Sequence, residues 1–352
     1  MVAFQRVCVA MSGGVDSTSA ALLLLRQGYE VFGVTLRLRP NCSDAQDMEI
    51  EAARAAARTL GVAHTVLDLR ELFQTEVIDR FVSEYVRGRT PNPCLYCNRA
   101  IKFGAMLDWA LAQGADALAT GHYANVSFDN ASGRWRLLRA ADPRKDQSYF
   151  LYQLTQHQLS HLLLPAGQYE KTALRALAAE AGLANAQRAD SQDICFIPEG
   201  DYTAFLRRHG GVELIPGDFV DRDGRVLGRH RGLPCYTTGQ RKGLGVSAEA
   251  PLYVLEKNAA GNTVTLGPDS ALYTRDLTAE EMNWISIPSL NGPMAVTAKT
   301  RHSQREAAAL AEPLPEGRIR VVFQEPQRAV TPGQAVVLYD GRSVVGGGII
   351  LK

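Results

Sequence analysis

Hydrophobic and polar positions follow two different periods along this chain, and the change from one to the other divides it. Over the first two hundred residues, short apolar runs alternate with stretches of helical period. Val7 to Met11 reads as a buried strand, Ser12-Gly13-Gly14 as a tight turn, and Asp16 to Arg26 as a helix. Val31 to Leu38 is the next strand. Ser43 and Gln46 have capping-box spacing and open a helix to Leu60, stopped by Gly61. Thr65 to Leu69 reads as a strand and Leu72 to Val86 as a helix. Arg89 to Asn98 reads as a turn-rich loop, followed by a helix from Phe103 to Gln113 and a strand from Ala117 to Thr120. Ala124 to Phe128 and Arg134 to Leu138 form a hairpin about Asn130 to Gly133. Helices follow at Gln156 to Leu163 and Glu170 to Ala181, then a polar loop from Asp190 to Phe196.

Repeated strand–helix–strand units predict an α/β domain, a parallel sheet covered by helices, with ligands at the carboxyl ends of the strands. From about Gly210, Gly and Pro recur every few residues and short alternating strands dominate, as in Ala295 to Thr300, Arg318 to Phe323 and Ala335 to Tyr339. That pattern predicts small β-rich domains, the last a β-barrel, with a break near Tyr273 to Leu277. The division expected is 1–205, 206–275 and 276–352.

Composition narrows the class. The chain has 352 residues, 46% hydrophobic and 21% charged, the balance of a soluble protein with apolar cores. No run approaches the ~20 apolar residues that cross a bilayer, and no signal peptide precedes the first strand, so no membrane partner and a cytoplasmic location are expected. Formal net charge is +1, so any basic surface is local. Two stretches qualify, Arg134 to Lys145 and Arg222 to Lys242, each either a solvated face or a phosphate contact. Of the six cysteines, Cys8 falls in an apolar run, and Cys42 and Cys235 have no partner at a telling spacing. Cys94 and Cys97 form a C-x-x-C pair that needs an explanation.

The first candidate site follows the first strand. In Ser12-Gly-Gly-Val-Asp-Ser17 the glycines let backbone approach a phosphate, N–H groups at the helix terminus point at it, and Ser12 and Ser17 add hydroxyl donors. Asp16, itself anionic, suits Mg²⁺ rather than phosphate. No Gly-Lys-Ser/Thr follows, so this is not a Walker A loop. The motif resembles the pyrophosphate loop of ATP pyrophosphatases, whose members adenylate an oxygen and then displace AMP with nitrogen or sulfur.

Five further segments, taken in order, resemble one family within that group, the tRNA-specific 2-thiouridylases. They are Asn92-Pro-Cys-Leu-Tyr-Cys97-Asn98 with Ile101-Lys-Phe103, Thr120-Gly-His-Tyr123, Lys145-Asp-Gln-Ser-Tyr-Phe150, Asp190-Ser-Gln-Asp-Ile-Cys-Phe196 and Gly239-Gln-Arg-Lys-Gly243. The resemblance implies an adenine nucleotide alpha hydrolase-like first domain and ATP-dependent replacement of the wobble-uridine C2 oxygen by sulfur. It implies Cys97 as nucleophile and Cys195 as persulfide carrier. Ala10, Met11, Ser12, Gly13, Gly14, Val15, Asp16, Ser17, Leu36 and Gly121 would contact ATP. Asn92, Pro93 and Cys94 would face the target base. His122, Lys145, Asp146, Gln147, Arg301, His302 and Gln334 would touch tRNA, with Arg241 and Lys242 on its backbone. A sulfur-donor protein, a cysteine desulfurase or relay protein, is the implied second partner.

The chemistry asks for the same residue types. Adenylation turns a carbonyl oxygen into a leaving group, a persulfide supplies sulfur, and a second thiol breaks the remaining S–S bond. Turn-rich loops argue that Cys97 and Cys195 are not buried. Cys94 is a spectator, an assistant in transfer, or a third ligand with Cys97 and Cys195 for an iron–sulfur cluster; the persulfide route without a resident metal is preferred. The rival readings are a nitrogen-using synthetase, which needs neither cysteine, and a non-catalytic RNA-binding protein, against which the intact loop argues.

Overall fold

The computed structural model describes residues 4–39, 44–183, 185, 194–197 and 200–351. Five parallel strands build the first sheet, in the order β3-β2-β1-β4-β7. They are β1 (Arg6–Ala10), β2 (Glu30–Arg37), β3 (Ala63–Asp68), β4 (Ala117–Ala119) and β7 (Leu162–Leu163). Val7, Cys8 and Val9 are fully buried because helices cover both faces of the sheet, as the apolar runs require. Helix α1 (Val15–Arg26) follows β1, and α2 (Asp44–Leu60) follows β2. The expected cap residue Ser43, like Cys42, lies outside the described residues.

Two expectations need correction. The segment read as a loop up to Asn98 is helical from Pro93, in consecutive runs Pro93–Tyr96, Cys97–Ala105 and Met106–Ala112. Asn92 is its N-cap, its Oδ1 accepting the Cys94 N–H at 3.1 Å, and Pro93 sits at the first helical position. There a proline loses no hydrogen bond and its fixed φ suits the helix. The run Cys97–Ala105 has the wider π geometry. Second, the helix from Gln156 ends at Ser160, and Leu162–Leu163 pair with β4 as the sheet's edge strand. The first strand of the last third of the chain, Tyr273–Trp284, starts at the point where a break was expected. A helix at Tyr202–Gly210, not foreseen, packs Phe205 and Leu206 into the cluster of Phe73 and Phe81.

The middle of the chain forms a four-stranded sheet from Gly217–Val220, Val226–His230, Tyr253–Asn258 and Thr263–Gly267 around Phe219, Tyr236 and Val264. The last six strands, from Tyr273–Trp284 to Ser343–Ile350, close into an antiparallel barrel through pairing of first with last. The hairpin β5 (Ala124–Asp129) and β6 (Arg134–Arg139) leaves the first domain and extends the barrel's sheet, with Leu138 opposite Ser343. No helix among the described residues is long and apolar enough to cross a membrane.

Candidate functional site

The site lies at the carboxyl edge of the parallel sheet. Gly13 takes φ +74°, which glycine tolerates, and a Cβ there would meet the Glu49 carbonyl at 2.6 Å. Ser17 Oγ accepts the Ser12 N–H at 3.1 Å and donates to the Gly14 carbonyl at 3.1 Å, so the hydroxyls brace the turn. Gly14 caps α1 with no side-chain hydrogen bond, which leaves the helix terminus open to an anion. Gly121, just beyond β4, lies so close that a Cβ would sit 2.6 Å from the Asp16 carbonyl carbon and the Ser17 nitrogen. Ala10 and Met11 end β1, and Leu36, near the end of β2, packs half-buried against the adjoining cores.

Asp16 has two partners that sequence reasoning missed. Tyr123 donates its hydroxyl to Oδ1 at 2.6 Å, and Lys171 Nζ lies 2.6 Å from each carboxylate oxygen. Tyr123 stood inside a recognised motif; Lys171 carried no local signal.

Three thiols come together on neighbouring segments. Cys97 is buried, 7% exposed, contrary to expectation, because its helix packs it against Ile101, Phe196 and Phe205. Phe196 anchors the neighbouring Cys195 through ring contacts with Phe73, Phe81 and Phe205 at 5.6, 5.5 and 5.2 Å. Cys195 and Cys94, unlike Cys97, are exposed. Burial pushes the Cys97 thiol up to about 12, and the nearby Cys195 and Cys94 add to the rise. Burial also raises Cys94 and Cys195, and Lys102 pulls all three thiols down. Lys102 is therefore a further residue of the site. Cys94, Cys97 and Cys195 are all free thiols. Among the described residues, no three His, Cys, Asp or Glu side chains are grouped to hold one metal ion. Asp190 to Asp193 lie outside the described residues.

His122 bridges loop and thiol helix. It follows Gly121, its ring lies 5.5 Å from Phe103, and its Nδ1 pairs with Thr120 Oγ1 at 2.8 Å. Burial and Lys102 hold its pKa well below the usual range, so the ring is neutral at pH 7.

Several residues expected on tRNA are engaged within the protein. The buried Asp146 carboxylate accepts from the Ala140 N–H at 3.0 Å and the Ser148 hydroxyl at 2.8 Å. His302 Nε2 donates to the Asp146 carbonyl at 3.0 Å and its ring lies 4.4 Å from Phe150. Arg301 donates to the carbonyls of Thr238 and Ala329, at 3.2 and 2.9 Å, joining the central sheet to the barrel. Gln334 donates to the Thr90 carbonyl. In the first basic stretch, Arg134 binds the carbonyls of Ile285 and Trp284, and Arg136, Arg139 and Arg144 pair with Asp129, Glu306 and Asp142. In the second, Arg222, Arg225, Arg241 and Lys242 are exposed. A cleft of about 830 Å³ opens between the three domains, with Arg231, Gln240 and Arg301 on its walls.

Comparison with known proteins agrees along the whole chain. Residues 5–199 match the tRNA methyl transferase HUP domain, 203–268 the tRNA methyl transferase PRC-barrel domain, and 274–350 the aminomethyltransferase beta-barrel domain. The tRNA-specific 2-thiouridylase MnmA of Acetivibrio thermocellus is 48% identical over 98% of this chain and 99% of that protein. Its counterpart in Heliobacterium modesticaldum is 50% identical over 99% and 93%. That of Desulfitobacterium hafniense is 49% identical over 99% and 98%.

Proposed function

This chain belongs to the tRNA-specific 2-thiouridylase family, and from that premise we propose that it replaces the C2 oxygen of a tRNA wobble uridine with sulfur, using ATP. What supports the proposal is the nearness of Cys97 and Cys195: their thiols interact electrostatically, and Cys97 shares one apolar cluster with Phe196, next to Cys195.

The loop and the open terminus of α1 bind the phosphates of ATP. Asp16 is the residue that would hold Mg²⁺, whose chemistry is to neutralise phosphate charge. The uridine O2 attacks the α-phosphate, and pyrophosphate leaves. The terminal sulfur of a Cys195 persulfide, having lost its proton, attacks C2, and AMP departs with the former O2. The Cys97 thiolate then attacks the Cys195 sulfur. The S–S bond to the base breaks, its electron pair stays with the base sulfur as 2-thiouridine, and a Cys97–Cys195 disulfide forms. An external dithiol reduces that disulfide and a sulfur-donor protein reloads Cys195. A neutral, buried Cys97 suits its late role, because it does not react before the base arrives. Exposed Arg241 and Lys242 bind RNA phosphates, and the anticodon loop presents its base unstacked.

Mass spectrometry of tRNA nucleosides tests the reading after incubation with ATP, Mg²⁺, a persulfide donor and the protein. Thiouridine is expected with the parent and none with Cys195→Ser, while pyrophosphate release continues. Full activity of both Cys97→Ser and Cys195→Ser would instead favour a nitrogen-using synthetase.

A further inference from the structure

The Asp16 carboxylate is held from two sides by residues that one surface segment controls. Lys171 begins the helix Lys171–Glu180, 155 residues beyond Asp16 in sequence, and its side chain is 9% exposed. The Lys171 ammonium also lies 5.8 Å from the ring of Tyr123, the second donor to Asp16. The helix start and Tyr123 both bond to Asp142–Gln147, which contains the stretch expected to touch tRNA. Gln147 donates its N–H to the Tyr123 carbonyl at 2.8 Å, and its Oε1 accepts the Tyr123 N–H at 2.9 Å. At the segment's other end the buried Asp142 carboxylate accepts the backbone N–H of Lys171 and that of Arg144. The barrel also touches the segment, through His302 on the Asp146 carbonyl.

We propose that Asp142–Gln147, Tyr123 and Lys171 form a relay through which docked tRNA sets the Asp16 carboxylate for the magnesium complex of ATP. Tyr123 and Lys171 are its positioning residues. The inference rests on the thiolation reading and deepens it. A carboxylate offers about four lone-pair sites, and these two side chains occupy three. A metal ion requires an oxygen at about 2.0–2.1 Å and repels an ammonium nearby, so the present donors must yield. Displacement of the segment by an RNA backbone moves the main chain of Tyr123 and of Lys171 together. The coupling is reciprocal: tRNA tightens ATP binding by the factor by which ATP tightens tRNA binding. Unproductive cleavage of ATP without tRNA is thereby suppressed.

The test is equilibrium binding of a non-hydrolysable ATP analogue with Mg²⁺, with and without saturating unmodified tRNA. In the parent, tRNA is expected to tighten binding about fivefold or more, the usual lower range of such coupling. In Tyr123→Phe, which keeps the ring and removes the hydroxyl that must yield, analogue binding without tRNA tightens towards the parent's tRNA-bound value and the ratio falls to about one. Gln147→Ala cuts the relay from the tRNA side and is expected to lower the ratio likewise, so the test stands even if one variant melts early. A parental ratio in both folded variants overturns the relay. So does a parent that thiolates tRNA but binds the analogue equally with and without it, which leaves the thiolation reading intact. A parent that neither binds nor thiolates tRNA overturns both.

Discussion

The carbonyl of Thr90 accepts a hydrogen bond from the side-chain amide of Gln334 across 2.6 Å, between the catalytic domain and the barrel. Thr90 also donates its N–H to the Pro332 carbonyl at 3.0 Å, and Lys257 of the central sheet reaches its hydroxyl at 3.4 Å. Thr90 stands just before Asn92, the cap of the helix carrying Cys94 and Cys97. All three domains therefore fix where that helix begins.

Gln334→Ala removes the donor and leaves a part-buried carbonyl unpaired, a loss of about 1–3 kcal/mol. Melting temperature is expected to fall by a few degrees, and single-turnover thiolation to fall more than tRNA affinity. Unchanged melting with collapsed tRNA affinity would make Gln334 a direct tRNA contact.

Lys102 is the cation that lowers the thiols of Cys94, Cys97 and Cys195 against the effect of burial. Removing it raises those pKa values further and reduces the thiolate fraction at neutral pH. Lys102→Met is expected to slow sulfur transfer at pH 7.5 and to displace the pH–rate profile upward. Lys102→Arg keeps the charge and should restore most of the rate. Single-turnover rates between pH 7 and 10 provide the check.

Burial lowers the Lys257 amine from 10.5 to about 8. Between those values the unfolded chain holds a proton that the folded chain lacks, so this group makes stability rise with pH across that window. The contribution is lost as pH falls through 8. Cys97 acts in the opposite sense above its unfolded value of 9.0. Subtracting the melting-versus-pH curve of Lys257→Met from that of the parent removes the cysteine effect and should leave a rise between pH 8 and 10.

Gly121→Ala adds a methyl group 2.6 Å from backbone atoms of Asp16 and Ser17. Overpacking of this kind costs about 1–3 kcal/mol, and here it falls on the phosphate loop. Calorimetry should show ATP affinity reduced by tenfold or more, with the cooperative unfolding transition retained.

The phosphate loop was legible because its chemistry is local: glycines, hydroxyls and a carboxylate within six residues, between a strand and a helix. The hairpin Ala124–Asp129 with Arg134–Arg139 was legible for the same reason. The helix from Pro93 was misread because proline signals a turn and also favours the first helical position; the preceding Asn92 distinguishes the two. The burial of Cys97 followed from that misreading. Lys171 was invisible because a pairing across 155 residues leaves no trace in local spacing. The internal engagement of Asp146, Arg301 and His302 was hidden likewise, since a polar side chain in a motif has the same letter whether it faces RNA or a neighbouring carbonyl.

The hairpin that leaves the first domain to extend the barrel's sheet makes the two ends of the polypeptide interdependent. While a ribosome is still translating, β6 has no neighbour on its outer side until the final strand emerges, because Leu138 faces Ser343. Such a late, long-range closure slows maturation and leaves a sticky margin for chaperones to guard. Cutting the gene after the nucleotide-binding half would leave that margin without its last strand.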